Sequence, residues 1–207
     1  MRKLALIFIL SLSTQIVIIG QNIYTQIEIY QGFSSFIPNH GTFLPKYAYQ
    51  YAITTGMDIS KHLGASFGIV YQNAGAAQNI WEANSPDGAS PDVRQTFVST
   101  FLKIPMDIIL NFGKRNTFSI GLGAYYSFNL MASYGTESPI GTLFPMINPE
   151  ELGQNDLGLR FKPSIIIPLN ERFLVQLGIL QEFGLNVFWS DVVHYSTCAF
   201  AALRFKY

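Results

Sequence analysis

Alternation with a period of two residues runs through almost the whole chain after residue 21 and sorts the side chains onto two incompatible faces. Successive side chains of an extended strand point to opposite sides. Segment 95–112 therefore puts Val98, Thr100, Leu102, Ile104, Met106, Ile108, Leu110 and Phe112 on one side, and Lys103 and Asp107 on the other. Seven further segments divide in the same way: 23–33, 47–59, 63–72, 117–130, 156–168, 173–186 and 192–207. No charged residue falls on the apolar side of any of them. The opposite side carries Glu28, Asp58, Lys103, Asp107, Arg160, Lys162, Glu182, Arg204 and Lys206, together with many Gly, Ser, Gln and Asn. A helix has a period of 3.6, so this pattern excludes a helical fold.

Two all-β architectures produce such alternation. In a soluble sandwich or barrel the apolar face points inward and the charged face meets water. In a membrane barrel the apolar face meets lipid and the polar face lines the interior. Three observations favour the membrane barrel, with a soluble periplasmic barrel as the alternative. Only 13% of residues are charged, against an ordinary share of about 25%, too few to cover a water-facing exterior. Gly64, Gly68, Gly121, Gly123, Gly158, Gly178 and Gly184 sit on the polar side, where a narrow lumen needs small residues. Aromatics gather at the strand ends on the apolar side: Tyr47, Tyr49, Tyr71, Tyr126 and Phe128 towards one rim, Phe112, Phe118, Phe173, Phe205 and Tyr207 towards the other. These are expected to form two interfacial girdles.

The connections agree. Residues 60–62, 114–116 and 170–172 are short turns, while 34–46, 73–94 and 131–155 are long and 187–191 is shorter. Short periplasmic turns alternate with longer extracellular loops in such barrels. The turn at 170–172 predicts that Arg160 faces Glu182 across two strands. Pro105 and Pro163 fall inside strands and lack an N–H, so each predicts a bulge or a lost ladder bond.

The beginning of the chain reads as an export signal over residues 1–20. Arg2 and Lys3 precede an apolar stretch from Leu4 to Gly20, the pattern of a secretory signal peptide. An uncleaved anchor is the alternative, at the short limit for a span. Residues 21–207 are then the barrel. Cleavage would remove two of 13 basic residues, leaving 11 against 13 acidic ones, a formal charge of −2. That balance excludes a nucleic-acid partner driven by charge. Cys198 is the single cysteine, so no intrachain disulfide and no Cys-rich metal site is expected. No cofactor motif is present.

The fourth segment Phe101-Leu-Lys-Ile-Pro-Met-Asp-Ile-Ile-Leu110, the glycine-rich Ile120-Gly-Leu-Gly-Ala-Tyr-Tyr126 and the ending Leu203-Arg-Phe-Lys-Tyr207 resemble the small eight-stranded outer-membrane barrels. They resemble in particular the Bacteroidetes-type outer membrane protein beta-barrel domain family (PorT-like). The resemblance implies an eight-stranded antiparallel transmembrane barrel of up-and-down order in the outer membrane of a Gram-negative bacterium, in contact with outer-membrane lipid. Leu203, Phe205 and Tyr207 are similar to the signal read by the barrel assembly machinery, with Ala201 and Ala202 where a Gly often stands. Some relatives serve a secretion apparatus, so a secretion-apparatus or extracellular protein is an implied partner. The family implies location and fold, not one shared activity.

Three groups of residues are candidates for function. The interior charges Glu28, Asp58, Lys103, Asp107, Arg160, Lys162, Glu182 and Arg204 form either a structural polar plug or the lining of a gated path. An eight-stranded lumen is just wide enough to be filled by side chains, which favours the plug. His194 and Ser196 lie two apart on one strand and share a face. Such a pair could act as base and nucleophile in a lipid-modifying hydrolase, but no carboxylate is matched to the histidine and both point inward. The loops are the third group. Leu143, Phe144 and Met146 are unusually apolar for a solvated connection, and 148–151 reads as a helix start. The 73–94 loop has Trp81 as its one large anchor. The expected role is structural, adhesive or partner-binding rather than catalytic; the alternative is a channel or pocket for a small hydrophobic molecule.

Overall fold

In the computed structural model the described residues are 23–38, 44–81, 92–113, 117–138, 141–143, 146–147, 155–185 and 192–207. They form ten strands in chain order: β1 (Ile23–Pro38), β2 (Leu44–Asp58), β3 (Leu63–Trp81), β4 (Asp92–Phe112), β5 (Phe118–Ser138), β6 (Gly141–Leu143), β7 (Met146–Ile147), β8 (Asn155–Pro168), β9 (Phe173–Gly184) and β10 (Val192–Lys206). Every pairing is antiparallel and joins sequence neighbours, except that β5 also pairs with β7 and with β8, and β10 pairs back onto β1. Eight strands thus close a barrel, and β6 and β7 lie against the far end of β5.

The register fixes the dimensions. Stepping from partner to partner, Tyr24 leads to Gly56, Ser66, Asp107, Gly123, Arg160, Glu182, Ser196 and finally Ser34. One circuit therefore returns to β1 ten residues further along, from 24 to 34. With eight strands this stagger implies a tilt of about 40° and a radius of about 8 Å. Closure leaves no sheet edge within the barrel, as a lipid surroundings requires.

The faces fall as the alternation demands. Ile27, Ile29, Ile53, Phe67, Ile69, Met106, Ile108, Leu159, Ile165, Leu177, Ile179 and Leu203 point outward, while the alternate positions are buried. In a water-soluble protein that exterior would be an uninterrupted apolar surface; in a bilayer it is the contact surface. Rings meet at both rims: Tyr126 with Phe128 at 5.0 Å between centroids at one end, Phe173 with Phe205 at 5.2 Å and Phe205 with Tyr207 at 5.1 Å at the other.

Two of the three tight turns are built by side-chain oxygens. Ser60 Oγ accepts from the Leu63 N–H at 3.1 Å, and Asn170 Oδ1 accepts from the N–H groups of Arg172 and Phe173 at 2.9 and 2.8 Å. Gly113, with φ of 83°, starts the third. The 170–172 turn sets Arg160 opposite Glu182. Neither proline shifts the register. Pairing lapses for Gly68 and Ile69 opposite Ile104 and Pro105, and for Lys162 and Pro163 opposite Ile179 and Leu180, then resumes unchanged. Each proline therefore costs ladder bonds, not a bulge. The register shifts lie elsewhere, between Thr100 and Phe101 against β5, where Leu130 and Met131 both face outward, and between Pro45 and Tyr49 against β3.

The strands run further than alternation indicates. β1 continues to Pro38, β3 to Trp81 and β5 to Ser138, and β4 begins at Asp92. Much of what reads as the 34–46, 73–94 and 131–155 loops is sheet. Beyond the bilayer the outer face need not be apolar, so the period that marks a strand disappears there. Ala74, Gly75, Ala76 and Ala77 illustrate this: all four are buried, and none alternates. The helix start expected at 148–151 and the export signal at 1–20 lie outside the described residues.

Candidate functional site

Among the described residues, chemistry-bearing side chains converge in the lumen. Each reaches it because even spacing along a strand turns it inward. Glu182 on β9 accepts from Lys103 Nζ on β4 at 2.7 Å, Gln50 Nε2 at 3.1 Å and Ser196 Oγ at 3.2 Å. Its other oxygen lies 3.1 Å from Arg160 Nε, close enough for ion pairing though not aligned as a hydrogen bond. Arg160 Nη1 donates to Asp107 Oδ2 at 3.2 Å. Lys103, Glu182, Arg160 and Asp107 thus form a chain of alternating charge spanning β4, β8 and β9. A second cluster surrounds Glu28, which takes Lys162 Nζ, the Tyr30 hydroxyl and, at 2.7 Å, Thr54 Oγ1.

Aromatic faces cover the cations. Lys103 Nζ is 4.0 Å from the Tyr125 ring centre, Lys162 Nζ 4.7 Å from that of Phe200, and the Arg204 guanidinium carbon 3.9 Å from that of Tyr24. Those same three rings, and Asp107, lie across glycines on the neighbouring strand. A Cβ at Gly56 would come within 2.3 Å of the Tyr24 ring, one at Gly158 within 2.3 Å of Tyr125, one at Gly178 within 2.7 Å of Phe200 and one at Gly123 within 2.1 Å of Asp107. The strand glycines are the space into which the large lumen side chains fold.

Seven of the eight charged residues read from the sequence as interior are buried there: Glu28, Lys103, Asp107, Arg160, Lys162, Glu182 and Arg204. Asp58 is not. It sits at the rim, where Lys206 Nζ reaches it at 3.6 Å with both side chains partly exposed, because β2 ends at Asp58 and water is within reach. Asp156, fully buried and accepting from the Tyr125 hydroxyl at 2.8 Å, is a member that sequence reasoning passed over, although it opens the 156–168 segment in phase with Arg160 and Lys162. The buried set then balances at four cations, Lys103, Arg160, Lys162 and Arg204, against four acids, Glu28, Asp107, Asp156 and Glu182.

Such a set fills the lumen with paired charges. The cavity among Gln26, Glu28, Asp107, Lys162 and Arg204 measures about 10 Å³, the room of about one water. A channel or pocket for a hydrophobic molecule needs a continuous apolar cavity, whereas this one is lined mainly by polar and charged groups. His194 and Ser196 are both fully buried. The acid nearby, Glu182, bonds the serine hydroxyl directly instead of orienting the histidine, and no lipid could reach either, so the base–nucleophile geometry is not assembled.

The remaining candidates lie at the ends. Leu203 and Tyr207 face outward, and Tyr207 joins the last strand to the first: its N–H donates to the Ile23 carbonyl at 3.1 Å and its hydroxyl meets Thr25 Oγ1 at 3.0 Å. Trp81 pairs with Asp92 at the far tip of the β3–β4 ladder. Leu143 ends β6 and Met146 begins β7; Phe144 lies outside the described residues.

A closed ring of eight antiparallel strands, apolar outside and polar inside, defines an outer-membrane β-barrel. The chain belongs to the outer membrane protein beta-barrel domain family, whose profile matches residues 19–188. Among solved structures it is similar in fold to neisserial surface protein A, at 16% identity over 89% of this chain and 97% of that one, with a TM-score of 0.50. The attachment invasion locus protein Ail of Yersinia pestis matches at 13% identity, 88% and 99% coverage and a TM-score of 0.42. The N-terminal barrel of Pseudomonas aeruginosa OprF matches at 10% identity, 88% and 97% coverage and a TM-score of 0.36. No curated protein matches the chain. The protein is an outer-membrane protein of the Gram-negative type.

Proposed function

We propose that this protein is a non-catalytic outer-membrane barrel whose working part is a sheet held above the bilayer for a protein partner, in an adhesive or structural role. The observation that carries this reading is strand length. β3, β4 and β5 have 19, 21 and 21 residues, whereas β9 has 12. At a tilt of about 40° each residue adds about 2.5 Å of height, so an apolar band of about 25 Å takes about ten residues. The three long strands share their short-turn end with the others, so their surplus projects on the opposite, extracellular side by about 25 Å. The sealed, charge-balanced lumen supports the same reading, because it serves as a rigid mount and offers no route for solute. Membership of the PorT-like branch, with a secretion-apparatus protein as the partner, is a finer form of this proposal. Export by cleavage of residues 1–20 belongs to it as well.

The test trims the projection and leaves the mount. Joining residue 73 to residue 100 through a two-residue turn removes the outer parts of β3 and β4. Cells displaying the trimmed barrel are expected to lose the adhesion or partner retention seen with the full chain, while the barrel still shifts on unboiled gels. Full adhesion by the trimmed barrel would overturn the reading.

A further inference from the structure

The second opening of the barrel, at the periplasmic end, has a different character. A cavity of about 90 Å³ is lined there by Asp58, Asn111, Ile166, Pro168, Leu174, Arg204 and Lys206. Arg204 is its floor. Arg204 is 3% exposed, yet apart from the Tyr24 ring its guanidinium contacts two neutral amides, donating to Gln26 Oε1 at 2.9 Å and Gln176 Oε1 at 3.1 Å. Every other buried cation in the lumen contacts a carboxylate. A buried guanidinium without an anion among the described residues is an incomplete ion pair. It also lines the internal cavity, so it stands between the sealed lumen and the open mouth.

The rest of the lining states what would complete it. Lys206 adds a second cation and Asp58 one acid, so the described lining of the cavity carries one net positive charge, which suits a monoanion better than a doubly charged phosphate. Asn111, 3% exposed, adds a buried amide to the lining. Ile166, Pro168 and Leu174 make the facing wall apolar. The volume is several times that of one water, enough for a group of a few heavy atoms.

We propose that the periplasmic mouth binds a carboxylate carrying a short aliphatic group, its oxygens on Arg204 and Lys206 and its carbon chain against Ile166, Pro168 and Leu174. A guanidinium edge and an ammonium match a carboxylate, and the apolar wall discriminates against a bare inorganic anion. A free short-chain acid and the C-terminal carboxylate of a peptide share this chemistry.

The test is an NMR titration of the full-length barrel, refolded in detergent micelles, with isobutyrate, N-acetylalanine, neutral isobutyramide and inorganic phosphate. Saturable shifts at the Asn111, Arg204 and Lys206 amides are expected with the two carboxylates, and none with isobutyramide. Phosphate should bind more weakly than either carboxylate. Tighter binding of N-acetylalanine identifies a peptide end as the source, and tighter binding of isobutyrate a free acid. Lys206→Met should weaken binding about fivefold and Arg204→Gln about tenfold or more. Lys206 is at the rim, so its variant folds even if the Arg204 variant does not. Equal binding of isobutyramide, phosphate as tight as the carboxylates, or carboxylate shifts unchanged in Lys206→Met would overturn the assignment.

Discussion

Asp107 on β4 reaches Arg160 on β8 at 3.2 Å although β5 runs between their strands. It can do so because the residue between them in the ring is Gly123. A Cβ at that position would lie 2.1 Å from Asp107 Oδ1 and 2.2 Å from the Met106 carbonyl oxygen. Gly123→Ala is therefore expected to push Asp107 aside and destabilise the barrel by about 1–3 kcal/mol, the usual cost of overpacking. Gly121→Ala is the milder comparison, since its Cβ would meet Lys162 Cβ at 3.3 Å, a contact that a shift of a few tenths of an ångström relieves. Urea unfolding in micelles separates the two; equal midpoints would contradict the role given to Gly123.

The chain Lys103–Glu182–Arg160–Asp107 alternates in sign, so its members do not act independently. Glu182→Gln leaves Lys103 without its carboxylate and Arg160 with one fewer, and a cost of about 3–5 kcal/mol is expected for a broken buried pair. The double variant Lys103→Met/Glu182→Gln removes one charge of each sign and leaves Arg160 with Asp107. It should be more stable than Glu182→Gln alone. A double-mutant cycle in denaturant measures this coupling, and simple additivity would count against a shared network.

How much of this was legible in the sequence depended on what lay outside the strand. Wherever lipid faced it, alternation fixed the phase: Ile27, Ile53, Ile69, Met106, Leu122, Leu159, Leu177 and Leu203 all point outward as their spacing requires. Above the bilayer that constraint ends, and the extensions of β3, β4 and β5 through Trp81, Asp92 and Ser138 read as loops. The facing of Arg160 and Glu182 was readable because a short turn sets one register. The reach of Asp107 to Arg160 was not, because it depends on two registers at once and on a glycine between them. Asp156 was legible as well, because it opens the 156–168 segment in phase with Arg160 and Lys162, but it was passed over as a terminal residue. The unpaired state of Arg204 could emerge only when its neighbours proved to be Gln26 and Gln176.

The pair at the rim should matter far less than those inside. Lys206 Nζ lies 3.6 Å from Asp58 with exposures of 30% and 20%, so water screens both. Lys206→Met is expected to change stability by less than about 1 kcal/mol. The same measurement on Lys162→Met, which strips the fully buried Glu28 of its cation, should give several times that loss. Similar effects at the two sites would mean that the lumen is wetter than its packing indicates.

If the interior is sealed, the protein in a planar bilayer should show no steady conductance. The plug is made of side chains, so it should be removable without disturbing the lipid face. Replacing Lys103, Arg160, Glu182 and Asp107 together by serine keeps the lumen polar, preserves its charge balance and empties the middle layer. Its ladder partners, Gly123 and Ser127 opposite Asp107 and Lys103 among them, are too small to refill that layer. The quadruple variant is expected to fold less stably and to pass small ions in brief openings. The upper layers of Phe101, Gln72 and His194 remain in place and keep those openings short. Steady conductance in the unmodified protein would show that the lumen opens in a way its ion pairs do not permit. A silent quadruple variant that still shifts on unboiled gels would move the seal to those upper layers.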